Sequence, residues 1–185
     1  MTNKILATLK KVQLSWSSEE AEDGSPLLVS HGLVKTSGRE LSVQTAISIS
    51  EDGASSKKLD FATHVGQIHK NRMGFAILNE LNHNFDGKLV GFDSVNPSIM
   101  DIVYSTSYPI DWVLRQDRVK TLIAAHAENK ALIAPILEEA ITLKNTQETD
   151  FHQVQVVAYH LVRSKLGIAA LKTQPAFKPS ASESE

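Results

Sequence analysis

The sequence predicts an α+β domain: an antiparallel sheet of about five strands in the order α-βββ-α-ββ-α, covered by helices, with an extra C-terminal helix. Three observations point there. Segments 27–34, 41–49 and 59–65 alternate apolar and polar residues with a period of two and are separated by Ser37-Gly38 and Asp52-Gly53. Such segments read as hairpin-linked strands with one buried face. Later segments return to spacings of three and four, the period of amphipathic helices. The strands come in groups instead of alternating singly with helices, which separates α+β from a doubly wound parallel sheet.

Taken in order, residues 3–13 place Ile5, Leu9 and Val12 on one face of a short helix that Thr2 or Asn3 can cap. The stretch from Ser15 to Pro26 collects Ser, Glu and Asp around Gly24 and reads as an exposed acidic loop, with a brief strand through Leu14 and Trp16. The three alternating strands follow. In the second, Leu41, Val43, Thr45, Ile47 and Ile49 share one phase.

A helix is expected over 67–84, with Ile68, Phe75, Leu78 and Leu81 near one face, ended by Asp86-Gly87. Strands at 89–92 and 99–108 flank a turn containing Ser94, Asn96 and Pro97. Beyond Pro109, the residues Val119, Leu122, Ile123, Ile133, Ile136, Leu137 and Ala140 recur at helical spacing, and Pro135 predicts a kink or break near 131–134. A last helix over 150–166 carries Phe151, Val154, Val157, Ala158, Leu161 and Val162, with Gly167 as its stop. The organisation expected is a domain over 1–145, an additional helix over 146–170 packed on it, and a disordered tail over 171–185 rich in Ser, Glu and Pro.

Composition narrows the function classes. The 185 residues, 42% hydrophobic and 22% charged, suit a single globular domain. The absence of cysteine excludes disulfides, thiol catalysis and thiolate zinc sites. A net charge of -2 provides no general basic field for a phosphate backbone, so no nucleic-acid partner is expected. The first 14 residues are too polar for a secretory core and no apolar run spans a bilayer, which predicts a cytoplasmic protein without membrane contact.

The search for chemistry returns no catalytic constellation. Seven histidines lack the H-E-x-x-H or H-x-H spacing of a metal site, although His64, His69, His83 and His126 could still be gathered by folding. Phosphate-binding glycine loops and a G-x-S-x-G nucleophile turn are missing. The adjacent carboxylates Glu19-Glu20, Glu22-Asp23, Glu51-Asp52 and Glu138-Glu139 read as solvated surface, not as an acid/base pair. No cofactor or metal is expected. Aromatic residues are scarce, and Tyr104, Tyr108 and Trp112 around the last strand and its exit are the candidate partner-binding residues, since rigid aromatics dominate interfaces.

The run Phe75-Ala76-Ile77-Leu78-Asn79-Glu80-Leu81-Asn82, then Gly87-Lys88-Leu89-Val90, then Asp101 to Ile110 ahead of a long helix, resembles the YbjN-like proteins and the type III secretion chaperones. The likeness covers residues 1–145. It implies a small bacterial cytoplasmic protein, often dimeric, that binds a polypeptide without catalysis. The chain is less acidic than many secretion chaperones and adds a helix and tail after 145. Physically, Asn79 and Asn82 stand where amide side chains bond orphaned backbone groups at a helix end.

The expected function is a non-enzymatic, chaperone- or adaptor-like binding module that takes a polypeptide on a sheet face, a strand edge or the last helix, and that self-associates as a dimer. The rival expectations are a structural subunit of a secretion or viral particle and a small-ligand or metal-responsive regulator.

Overall fold

The computed structural model describes residues 15–20, 26–36, 39–52, 56–114, 116–143 and 150–173. Six strands form one sheet: β1 (Ser15–Glu20), β2 (Pro26–Thr36), β3 (Arg39–Asp52), β4 (Ser56–His69), β5 (Lys88–Asp93) and β6 (Ile99–Pro109). The four described helices are α1 (Arg72–Asn82), α2 (Ile110–Val113), α3 (Gln116–Thr142) and α4 (Phe151–Thr173). The α+β class holds, and each of the five strands expected from alternation is present.

The sheet runs β1-β2-β3-β4-β6-β5 and every pairing is antiparallel. After the β1–β4 meander the chain passes through α1 to the outer position, and β6 then returns between β4 and β5. Leu28, Val43, Ile47, Leu59 and Phe61 share a core with Ile110, Val113, Val119 and Ile123 from α2 and α3. Ile68, Leu89, Met100, Ile102 and Tyr104 share another with Ile77, Leu81, Ile136, Ala158 and Val162 from α1, α3 and α4. These strand residues lie in one phase of the sheet, so the four helices cover the same face. The opposite phase includes His31, Gln44, His64 and Gln67, all exposed.

Close approach of α3 requires one special backbone position. The β4–β6 register shifts between His64 and Gly66, and Gly66 has φ +151°, a conformation L side chains rarely adopt. A Cβ there would sit 3.1 Å from Leu137 Cδ1, so this bulge both turns the strand and admits the helix.

The structure departs from the sequence reading at several element boundaries. Ser15–Glu20, read mainly as an acidic loop, is strand β1 paired with Pro26–His31. It is an outer strand, where exposed Ser15 and Glu19 meet water without penalty. The helix expected from Gln67 starts at Arg72, because Ile68 is a buried strand residue opposite Met100. Asn71 caps α1, its Oδ1 accepting from the Gly74 N–H at 2.8 Å.

Pro135 does not break α3, which is one assigned helix. Proline removes the N–H that would bond the Ala131 carbonyl, but Ala131 and Pro135 are both exposed, so water can serve that carbonyl while the buried Ile133, Ile136 and Leu137 hold the helix to the sheet. α4 continues past Gly167 to Thr173. The disordered tail expected over 171–185 is corrected at its start, since 171–173 are the last turn of α4; residues 174–185 and the helix expected at 3–13 lie outside the described residues.

Candidate functional site

α4 is the element whose side chains are least accounted for by the core. Val154, Ala158 and Val162 recur every four residues and are 3%, 1% and 0% exposed, Ala158 and Val162 in the core that contains Ile77 and Leu81. A helix docked by one stripe normally turns polar residues outward. Here Phe151, Val156, Val157 and Tyr159 remain exposed, and α1 adds Phe75.

Between α1 and α4 lies a groove of about 340 Å³ lined by Ala76, Asn79, Glu80, His152, Gln155, Val156, Tyr159 and His160. Its wall is held by polar contacts. Arg163 Nε stands 3.7 Å from Glu80 Oε1 and its guanidinium lies 5.5 Å from the centre of the Tyr159 ring. Asn84 Nδ2 donates to the Glu80 carbonyl at 2.7 Å, which secures the end of α1. Ala76, Val156 and Tyr159 give the lining its apolar and aromatic surface, and Asn79, Glu80, His152, Gln155 and His160 add amide, carboxylate and imidazole groups that can bond a bound segment.

Next to α1 is the outer strand β5. Asn82, expected to serve its own helix end, instead reaches this strand: its Oδ1 accepts from the Leu89 N–H at 2.6 Å and its Nδ2 donates to the Leu89 carbonyl at 3.1 Å. The α1 end is served by His83, whose backbone N–H donates to the Asn79 carbonyl, and by Asn84. Val90 and Phe92 project from β5 on the side away from the helices and are 40% and 55% exposed.

The three aromatics singled out from sequence separate. Tyr104 is 2% exposed and packs in the core against His126 and Phe85, so its ring faces no partner. Burial also raises its hydroxyl pKa. The reason is register: Tyr104 lies in the inward phase of β6, opposite Thr63. Tyr108 and Trp112 stack at 5.3 Å, with Trp112 43% exposed and Arg118 lying 4.3 Å over its ring while donating to its carbonyl. That face of the indole is already occupied.

The four histidines considered for a shared site are dispersed. His64 Nε2 lies 3.3 Å from Asp101 Oδ1, His69 bonds the Ile141 carbonyl and His83 Nδ1 bonds the Asn79 carbonyl. A hydrogen bond from Gln67 holds the Asp101 carboxyl below its usual pKa, helped by Ser94 and His64. Among the described residues no group of three or more potential ligands could hold a metal.

His126 belongs to a network that sequence reasoning missed. Its Nδ1 is 2.9 Å from Thr63 Oγ1 and its Nε2 is 2.8 Å from Thr106 Oγ1, while Thr63 bonds Thr45 at 2.8 Å. The network joins α3 to β3, β4 and β6. Burial drives the imidazole pKa down to about 4, which keeps it neutral near pH 7, with one ring nitrogen donating and the other accepting. Thr45 and Thr63 are 0% and His126 2% exposed, with Thr106 half-buried at the β6 end, so the network fastens a helix to the sheet. The available signal was Thr45 sitting in the apolar phase of its strand.

No protein-family model and no curated protein matches the chain.

Proposed function

We propose that the protein is a non-enzymatic, chaperone- or adaptor-like binding module that holds a polypeptide on the surface formed by α1 and α4. One observation carries this reading: α4 buries Val154, Ala158 and Val162 yet leaves Val156 and Tyr159 exposed in the lining of a groove against α1, with Phe151 and Val157 exposed elsewhere on the same helix. Contiguous apolar surface rimmed by polar groups marks interaction sites in soluble proteins. The resemblance of residues 1–145 to YbjN-like proteins and secretion chaperones supports the same kind of partner.

The test replaces Tyr159 with a photo-crosslinking phenylalanine analogue in the cells that make the protein and does the same at exposed Lys35, on the sheet's far hairpin. The reading expects a discrete polypeptide adduct from position 159, none from position 35, and loss of the adduct when Val156→Asp places a charge in the groove. Equal labelling from both positions, or an adduct indifferent to Val156→Asp, would refute it.

A further inference from the structure

The outer strand β5 is paired on one side only among the described residues, and its main-chain groups on the other side begin at Leu89. Asn82 takes both backbone groups of Leu89, so these point away from β6. In an antiparallel pair the outward and inward residues alternate. With Leu89 opposite Tyr104, Val90 opposite Val103, Gly91 opposite Ile102 and Asp93 opposite Met100, the N–H and C=O of Gly91 and Asp93 also point outward. Among the described residues none pairs with β5 on that side.

Asn82 thus does for Leu89 what one residue of a seventh strand would do, and it ends any added strand at that point. Outward N–H and C=O groups at strand spacing are matched in full by another extended backbone. The neighbouring side chains suit such an occupant. Val90 and Phe92 offer exposed apolar surface on the sheet face that the helices leave uncovered. Lys70 contacts the Asp93 carboxylate and holds that side chain at the far end of the strand.

We propose that Gly91 and Asp93 receive an extended segment of a partner polypeptide by strand addition, with apolar residues at the positions that meet Val90 and Phe92. This site rests on the polypeptide-binding reading and adds to it a second contact, made through main chain instead of side chains.

The test places the photo-crosslinking phenylalanine analogue at Phe92 and combines it with two neighbouring substitutions. Gly91→Pro deletes an outward N–H and leaves the β6 ladder intact, since proline is tolerated on an edge strand when its nitrogen faces solvent. Gly91→Ala keeps the N–H. The Cβ in both meets Met100 Sδ at 3.0 Å, the flexible end of a side chain. Strand addition expects an adduct with a polypeptide other than this chain, reduced about tenfold by Gly91→Pro and retained in Gly91→Ala. Should Gly91→Pro fail to fold, Asp93→Pro makes the same deletion at the other outward position.

Equal reduction by proline and alanine would overturn the proposal, as would no effect of either. An adduct of twice the chain mass would assign the edge to self-pairing and overturn it too. Labelling from position 159 with none from position 92 would sink this site and leave the groove standing, whereas silence at both positions removes the binding reading itself.

Discussion

Acidification should destabilise the fold through His126. Its pKa lies at about 4 in the folded protein because burial disfavours the imidazolium, against about 6.5 for the exposed side chain of the unfolded chain. The folded pKa is the lower one, so the unfolded state binds the proton more readily. The stability contribution is complete above about pH 6.5 and is lost as pH falls through the window to about 4. Integrated over that window, the loss is about 2 kcal/mol by pH 5 and about 3 kcal/mol by pH 4. Protonation leaves hydrogen bonding possible, since Thr63 and Thr106 can each accept from a ring N–H; the cost is a charge without solvent. Urea unfolding at a series of pH values measures it. With a slope of about 2 kcal/mol/M for a chain of this size, the midpoint should fall by about 1 M between pH 7 and pH 5. His126→Gln supplies the comparison, because the amide can donate to one threonine and accept from the other but does not titrate in this range. Every other ionisable group is common to both proteins. If the two lose stability in parallel between pH 6.5 and 5, the buried imidazole is not the cause and the argument fails.

Three further outcomes follow from other positions. Ser30 Oγ is buried without a hydrogen-bond partner among the described residues, so Ser30→Ala should leave stability unchanged or raise it by about 1 kcal/mol, read as a thermal midpoint that holds or rises. Gly66→Ala should cost about 2 kcal/mol, combining the φ of +151° with the 3.1 Å contact to Leu137; a variant as stable as the parent would show the bulge to be adaptable. Asn82→Leu should speed amide exchange at Leu89 while Val90 and Phe92 stay protected by β6, and in the parent protein the Gly91 and Asp93 amides should exchange faster than those of Val90 and Phe92. The reverse order would mean that the outward assignment of Gly91 and Asp93 is wrong.

Where one physical constraint dominated a segment, its structure was legible. In β3 the phase containing Val43 and Ile47 could face only a core, and both are 1% exposed. β1 was obscure because an outer strand with Ser and Glu has no apolar phase to reveal its period. Ile68 fits a strand or a helix equally well, and the tertiary pairing with Met100 decided in favour of the strand. Pro135 signals a break by local rules, but its place on the exposed side of α3 removes most of the cost. The candidate site was legible only as a possibility, the last helix among several surfaces. The stripe of Val154, Ala158 and Val162 was visible in the spacing, yet whether Phe151 and Val157 belonged to it depended on where α1 lay. Tyr104 and Trp112 looked alike as scarce aromatics near one strand, and only the register separates a core ring from an exposed one. The bonds of His126 to Thr63 and Thr106, and of Asn82 to Leu89, join side chains and backbone from elements whose approach no local pattern encodes.

The groove and the fastening of α4 are one physical system. α4 is attached through buried Val154, Ala158 and Val162 and through half-buried Leu161 and Leu166, which pack against the same core as Ala158 and Val162, with the ion pairs Arg163–Glu80 and Lys165–Glu139 at its border. Ion pairs at the surface contribute little, typically under about 1 kcal/mol, so burial of these apolar side chains does most of the holding. An element so attached should open locally at lower free energy than the sheet. A polypeptide seated between α1 and α4 touches both sides of that junction and therefore binds the closed state in preference to the open one. Its affinity must then appear as added protection of α4 amides before any change in the strands, by the linkage that couples ligand binding to the state it requires. A partner that left α4 exchange unchanged would have to sit elsewhere. Exchange measured with and without a bound polypeptide thus distinguishes occupation of the groove from strand addition, which would instead slow Gly91 and Asp93.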